Sequence, residues 1–245
     1  MDVRPDSIEG ENVNIALRCM DCIKKEIELG KYITMRFYIA DCHFYHEALN
    51  TKMDKRGFAS AEQMNEYMIQ RWNEKVRSCD ETVILGDFSF GDAMQTNSLL
   101  KQLNGKKYLI EGNHDRYLKY RRFDKSLFEW VEPYKEIHDN GRKVILSHYP
   151  VICYNGQYRL NENGEPKTYM LYGHVHDTRD ELLIDRFIRI TKQTSFLDFE
   201  GKEKTIPCCM INCFCVFSDY APLTLDEWIE NDQMRRKQIA EEFPA

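Results

Sequence analysis

Lys107-Tyr108-Leu109-Ile110-Glu111-Gly112-Asn113-His114-Asp115 is a short apolar run that stops at a glycine and delivers three polar side chains. A short apolar run bounded in this way reads as a buried β-strand, and the glycine lets the chain turn sharply at its end. The same pattern recurs on both sides. Upstream, Arg36 to Ala40 reads as a strand leading into Asp41-Cys42-His43, and Thr82 to Leu85 leads into Gly86-Asp87. Downstream stand Ser147-His148 and Gly173-His174-Val175-His176. Five of the seven histidines fall in this set, although a surface would scatter them through helices and loops.

Helices separate the first three blocks. Ser60-Ala61-Glu62-Gln63 has capping-box form, and Met64, Met68, Trp72 and Val76 follow as a stripe with a spacing of four. A second helix is predicted from about Asp92 to Asn104, closing at Gly105. Strand, polar loop and helix in alternation describe an α/β protein whose site lies at strand C-termini. The second half reads differently. Asn140-Gly141 between two strand-like runs predicts a tight hairpin, and further strands are predicted near Met170–Tyr172, Leu182–Ile190 and Met210–Phe217. A last helix is predicted to start at Thr224-Leu225-Asp226-Glu227, again a capping box.

Ahead of the first strand, Ile15, Cys19, Ile23 and Ile27 form an amphipathic stripe ending at Gly30. Residues 1–34 therefore read as a helical extension on a domain of residues 35–245. Its apolar face must be buried somewhere, and contact between two copies through the terminal helices, the last one around Trp228, is one expectation.

Composition limits the function classes. At 245 residues, with 42% hydrophobic and 30% charged residues, the chain is of globular type and not mainly disordered. A net charge of -6 and a pI near 5.7 provide no global positive field for nucleic acid. No apolar run approaches the roughly 20 residues of a membrane span, and Met-Asp-Val-Arg-Pro-Asp is unlike a signal peptide, so a cytoplasmic location is expected. The nine cysteines are then expected to stay reduced and structural, the Cys19/Cys22 pair by packing on one helix face.

The residue types fit metal-assisted hydrolysis of a phosphate ester. Such a reaction needs a nucleophile at neutral pH and compensation for phosphoryl charge, and two cations about 3.5–4 Å apart supply both. A carboxylate can bridge them, while imidazoles and an amide oxygen complete the shells without excess negative charge. The ordered blocks D-x-H, G-D, G-N-H-D, H and G-H-x-H, from Asp41 to His176, resemble the signature of the calcineurin-like metallophosphoesterases. The runs Asp41-Cys42-His43-Phe44-Tyr45-His46, Trp72-Asn73 and Ser147-His148-Tyr149-Pro150 further resemble a compact bacterial and phage branch of that family.

The resemblance implies a four-layer α/β/β/α sandwich of two mixed sheets flanked by helices, the metallo-dependent phosphatase-like fold. It implies that Asp41, His43 and His176 hold one metal, that Asn113, His148 and His174 hold the second, and that Asp87 bridges them. His114 would contact the phosphate and protonate the leaving oxygen, with Asp115 orienting its ring. The implied activity is hydrolysis of a phosphomonoester or phosphodiester by a metal-bridging hydroxide. Two divalent transition ions are expected, with manganese first and iron, zinc, cobalt or nickel as alternatives. His46, Arg116 and Tyr154 are the candidate substrate contacts. The basic residues Lys119, Arg121, Arg122 and Lys125 either steer anions or form a solvated face. A small phosphorylated molecule, including a nucleotide, is the expected partner. A nuclease or cyclic-nucleotide phosphodiesterase is the alternative, weakened by the acidic pI. A non-catalytic scaffold would be expected to lose ligands, and none is lost here.

Overall fold

Two sheets lie face to face in a computed structural model, which describes residues 34–206 and 208–242. The first is ordered β11-β1-β2-β3-β4, from Leu223–Thr224, Arg36–Ile39, Glu81–Ile84, Lys106–Ile110 and Val131–Glu132. Strands β1 to β4 run parallel and β11 closes the β1 edge antiparallel, with Phe37 opposite Thr224. The second sheet is ordered β10-β7-β6-β5, from Met210–Asn212, Thr168–Tyr172, Arg142–Ser147 and Tyr134–Asp139. Here β10, β7 and β6 are parallel, and β5 pairs antiparallel with β6. Asn140 and Gly141, with φ of 46° and 74°, make the β5–β6 hairpin turn with two left-handed residues, as the Asn-Gly dipeptide predicts.

The alternation of side chains along each strand builds the layers. From β1, Phe37 and Ile39 face one way, onto Met64, Met68 and Trp72 of α1 (Ala61–Lys75) and Leu99 and Leu100 of α2 (Ala93–Gln102). Tyr38 and Ala40 face the other way, onto Val144, Leu146, Leu171 and Ile211 of the second sheet. Ile145, Met170 and Tyr172 then leave that sheet on its far side to meet Ile184 and Ile188 of α3 (Arg179–Gln193). Helix, sheet, sheet and helix follow in that order, the four-layer sandwich expected. The space between the sheets is closed by Leu225 and Trp228 of α4 (Leu225–Glu242). A small hairpin, β8 (Phe196–Leu197) with β9 (Glu203–Lys204), follows α3.

Of the two predicted capping boxes the one at Thr224 is complete and the one at Ser60 partial, and Asp92 adds a box that the sequence reading did not name. Asp92 accepts from the N–H groups of Met94 and Gln95, and the Gln95 side chain returns a bond to the Asp92 N–H. Thr224 and Glu227 reciprocate in the same way ahead of α4. Ser60 caps the Gln63 N–H, but Gln63 reaches back to the N–H of Ala59, so that box is half formed.

Two strand expectations are corrected. Leu182–Ile190 is part of α3, where Thr178 accepts from the Asp180 N–H and the buried positions Glu181, Ile184, Asp185 and Ile188 repeat every three to four residues. The strand expected over Met210–Phe217 ends at Asn212, and Cys215–Ser218 is a 3₁₀ turn. Trp228 is fully buried within its own chain, its Nε1 donating to the Tyr38 carbonyl at 2.8 Å. Residues 1–33 of the extension, with its helix over residues 12–29 and the Cys19/Cys22 pair, lie outside the described residues. Among the described residues, no helix is long and apolar enough to cross a membrane.

Candidate metal centre

Because β1, β2 and β3 run parallel, as do β6 and β7 in the facing sheet, the loops after all five strands emerge on one rim. Backbone bonds tie the first two loops together: the Asp41 N–H donates to the Gly86 carbonyl at 3.1 Å, and the His43 N–H to Asp87 at 2.9 Å. Asp41, His43, Asp87, His174 and His176 all have positive φ, between 49° and 72°. That conformation is unfavourable for residues with a Cβ and persists only where the surroundings enforce it. Gly86 precedes Asp87 with φ of 86°, and a Cβ there would stand 2.4 Å from His148 Nδ1. At Gly112 a Cβ would stand 2.3 Å from the Asp87 backbone nitrogen. Both glycines are therefore set by close approach of the ligand loops.

Two groups of metal-capable side chains converge here: Asp41, His43 and His176, and beside them Asp87, His148 and His174. Within each group the donor atoms lie within 4.8 Å of one another. A single oxygen, Asp87 Oδ2, stands 3.6 Å from His43 Nε2 and 3.5 Å from His148 Nε2, so one carboxylate oxygen faces both groups. Asn113 adds its Oδ1, 3.1 Å from His148 Nε2.

The donor chemistry fits cations. With Nδ1 as donor, His148 bonds the Leu85 carbonyl at 2.8 Å and His176 bonds Asp54 at 2.7 Å. In its neutral form each ring then turns an Nε2 lone pair toward the site. His176 Nε2 lies 3.1 Å from His43 Nε2 inside a buried rim, close enough for both nitrogens to serve one cation.

The electrostatics point the same way. Burial pushes the Asp41 carboxyl up to about 6, with nearby Asp87 adding to it and His176 and His148 opposing. Burial also acts on Asp87, but the bond from His148 and the charges of His148 and His43 outweigh it and bring that carboxyl down to about 2. Burial likewise opposes charge on His148, yet its bond to Asp87 and the field of both carboxylates raise it to about 9. Buried His43 is pushed well below the usual histidine range. The buried carboxylates thus set up an anionic field at the rim, which a cation relieves.

His114 sits at the edge of this cluster. Its ring centroid is 5.8 Å from that of His43 and 5.0 Å from that of Phe90, its N–H donates to Asp87 Oδ1 at 2.8 Å, and its buried Nδ1 has no partner. Asp115 does not orient that ring. Its carboxylate accepts instead from the N–H groups of Asp87 (3.0 Å), Phe88 (2.8 Å) and Gly112 (2.8 Å), pinning the second ligand loop to the third. An acceptor one residue after His114 is drawn inward by three converging amide donors, away from a ring that faces the rim.

The three candidate substrate contacts divide. His46 stacks on Phe90 at 3.9 Å and 15°, beside His43. Arg116 is exposed just beyond His114. Tyr154 is displaced from the site: it is buried in the layer under α3, its hydroxyl 3.0 Å from the Cys209 carbonyl and 2.8 Å from the Cys209 nitrogen. The polar loop around it turns the ring inward because the far face of the second sheet offers it an apolar seat. Four residues that the sequence did not single out stand at the site. They are Asp54, Arg56, the half-exposed Phe90, and Tyr149, whose ring lies 4.5 Å from that of His174.

Comparison with known proteins gives the family and a likeness of fold. The uncharacterized protein MJ1445 of Methanocaldococcus jannaschii is 33% identical over 142 residues, which is 57% of this chain and 68% of the relative. A crystal structure of the Aquifex aeolicus protein of unknown function AQ665 superposes with a TM-score of 0.55 at 23% identity. That superposition covers 80% of this chain and 98% of the other, a likeness of fold. The calcineurin-like phosphoesterase family model matches residues 37–212, from the first strand to the last strand of the second sheet. With so much of its length inside that match, the protein belongs to the calcineurin-like phosphoesterase family.

Proposed function

We propose that this protein hydrolyses phosphate esters at a pair of divalent cations held by Asp41, His43 and His176 on one side and Asn113, His148 and His174 on the other. The observation that carries the reading is the single Asp87 oxygen facing ligands of both groups at 3.5–3.6 Å, which suits a bridging carboxylate. When bound, the two ions supply a water of lowered pKa and neutralise charge on the phosphoryl oxygens. The chain's own part is to position and to protonate. His114, at the edge of the cluster beside His43, delivers a proton to the leaving oxygen. Phe90 and Tyr149, half-exposed on either side of the histidines, flank the bound ester.

Oxygen and nitrogen donors without a thiolate suit manganese, iron, zinc, cobalt or nickel, and the family resemblance puts manganese first. Buried thiols outside any disulfide, such as Cys42, Cys213 and Cys215, support a reducing compartment such as the cytosol. The runs Asp41–His46, Trp72-Asn73 and Ser147–Pro150 support the compact bacterial and phage branch of the family. The exposed aromatic flanks also favour a nucleotide among small phosphorylated substrates, since bases stack on such rings.

The test is hydrolysis of para-nitrophenyl phosphate and its bis-ester by metal-stripped protein with manganese restored, beside His114→Ala. The variant should keep its metal content and lose about a hundred- to ten-thousand-fold in kcat. Full activity in His114→Ala at saturating metal would remove its assigned role.

A further inference from the structure

Resting on the metal-dependent reading above, we propose that Asp54 is a positioning residue that makes the Asp41/His43/His176 group the tighter of the two cation sites. The two groups are braced in different ways. In one, His176 Nδ1 donates to a carboxylate, Asp54 Oδ1, at 2.7 Å; in the other, His148 Nδ1 donates to a neutral carbonyl, that of Leu85, at 2.8 Å. A carboxylate behind an imidazole fixes the tautomer, aims Nε2 and raises the basicity of that lone pair more than a carbonyl does.

The brace is itself held. Asp54 Oδ2 accepts from Arg56 Nε at 3.0 Å and Nη2 at 2.9 Å, and both side chains are withdrawn from solvent, at 7% and 0% exposure. The same guanidinium donates to the carbonyls of Asp41 (3.0 Å) and Cys42 (2.8 Å), the backbone of the loop that carries Asp41 and His43. One ion pair therefore fixes the His176 ring through Asp54 and the loop of Asp41 and His43 through Arg56. The ring is seated further by Phe214, stacked on it at 4.7 Å, and the Asn212 side chain donates to the His176 carbonyl at 2.9 Å. In the second group, His174 and Asn113 are exposed. Both groups have a fixed imidazole and a tied loop, but the carboxylate behind the ring lies on one side alone.

Metal-stripped full-length protein titrated with Mn²⁺, with free ion counted by its paramagnetic resonance signal, should bind two ions in unequal steps. Asp54→Asn keeps an oxygen acceptor for Nδ1 and loses the charge, so the tighter step should weaken about 10- to 100-fold while the weaker one holds. Cobalt loaded at one equivalent should show a shifted visible ligand-field band in the variant, a change that simple loosening of the loop would not produce selectively. Melting of the metal-free variant beside metal-free wild type checks that the fold survives, and Asp54→Glu, which restores the charge, should recover part of the affinity. An unchanged titration in Asp54→Asn, or equal weakening of both steps, would overturn the proposal. Wild-type protein that binds no Mn²⁺ would instead remove the metal-dependent reading beneath it.

Discussion

Trp228 gives a quantitative test of how the sandwich is closed. The indole is fully buried against the inter-sheet layer, and its Nε1–H is spent on the Tyr38 carbonyl at 2.8 Å. Truncation by Trp228→Ala loses about 3–5 kcal/mol of burial and packing. Loss of the hydrogen bond to a buried carbonyl adds about 1 kcal/mol, for a total of about 4–6 kcal/mol. Trp228→Phe keeps most of the apolar volume and should cost about 1–2 kcal/mol, mainly the bond and a small void. Urea unfolding followed by circular dichroism, at two widely separated protein concentrations, measures both. The ordering Ala well beyond Phe should hold at each concentration, because the contact lies within one chain. A loss below about 1 kcal/mol in Trp228→Ala, within the range of ordinary surface changes, would refute the reasoning. So would a penalty that vanished on dilution, since it would place the indole between two copies.

Gly86→Ala should sharply reduce Mn²⁺ stoichiometry, because the new Cβ would meet His148 Nδ1 at 2.4 Å while φ stays near 86°; elemental analysis of protein dialysed against Mn²⁺ reads this. Asp80 gives a pH signature. Its buried carboxylate accepts from the Met35 and Arg77 N–H groups and the Arg77 guanidinium, which together outweigh burial and hold it below the usual aspartate range. Its contribution should therefore be complete above the unfolded value of about 3.9 and fade as pH falls through the lower folded value. The stability gap between wild type and Asp80→Asn, from urea melts between neutral and strongly acidic pH, should be flat above about pH 5 and narrow below about pH 4.

What could be read from the sequence was what local chemistry dictates. Apolar runs ending in glycine and metal-capable side chains marked the rim, because in a parallel sheet every such loop leaves on the same side. Caps and the Met64-Met68-Trp72-Val76 stripe marked helices, because their signals lie within a few residues of one another. Leu182–Ile190 misled for a physical reason: its helical face buries two acids, Glu181 and Asp185, which pair with Arg235 and Arg236 of α4. The apolar period is thereby broken, and the remaining Leu, Ile and Phe residues read as a strand. Asp54 and Arg56 were invisible because their partners, His176 and the Asp41 carbonyl, are distant in sequence and meet them only in the folded chain. Tyr154 was misplaced because a tyrosine in a polar loop carries no mark of whether its hydroxyl will meet solvent or a backbone amide.

The antiparallel pairing of Leu223–Thr224 with Phe37–Tyr38 has a consequence for synthesis. The first strand of the domain waits for nearly the last before its outer edge is covered, and the rim draws its ligands from strands spread between them. Contacts this remote in sequence form late and slow folding. On a ribosome, the early strands and their histidines are exposed while the second sheet is still being made, without the partners that give them a common geometry. Metal capture is then a property of the finished chain, and occupancy of the rim reports that both sheets have docked.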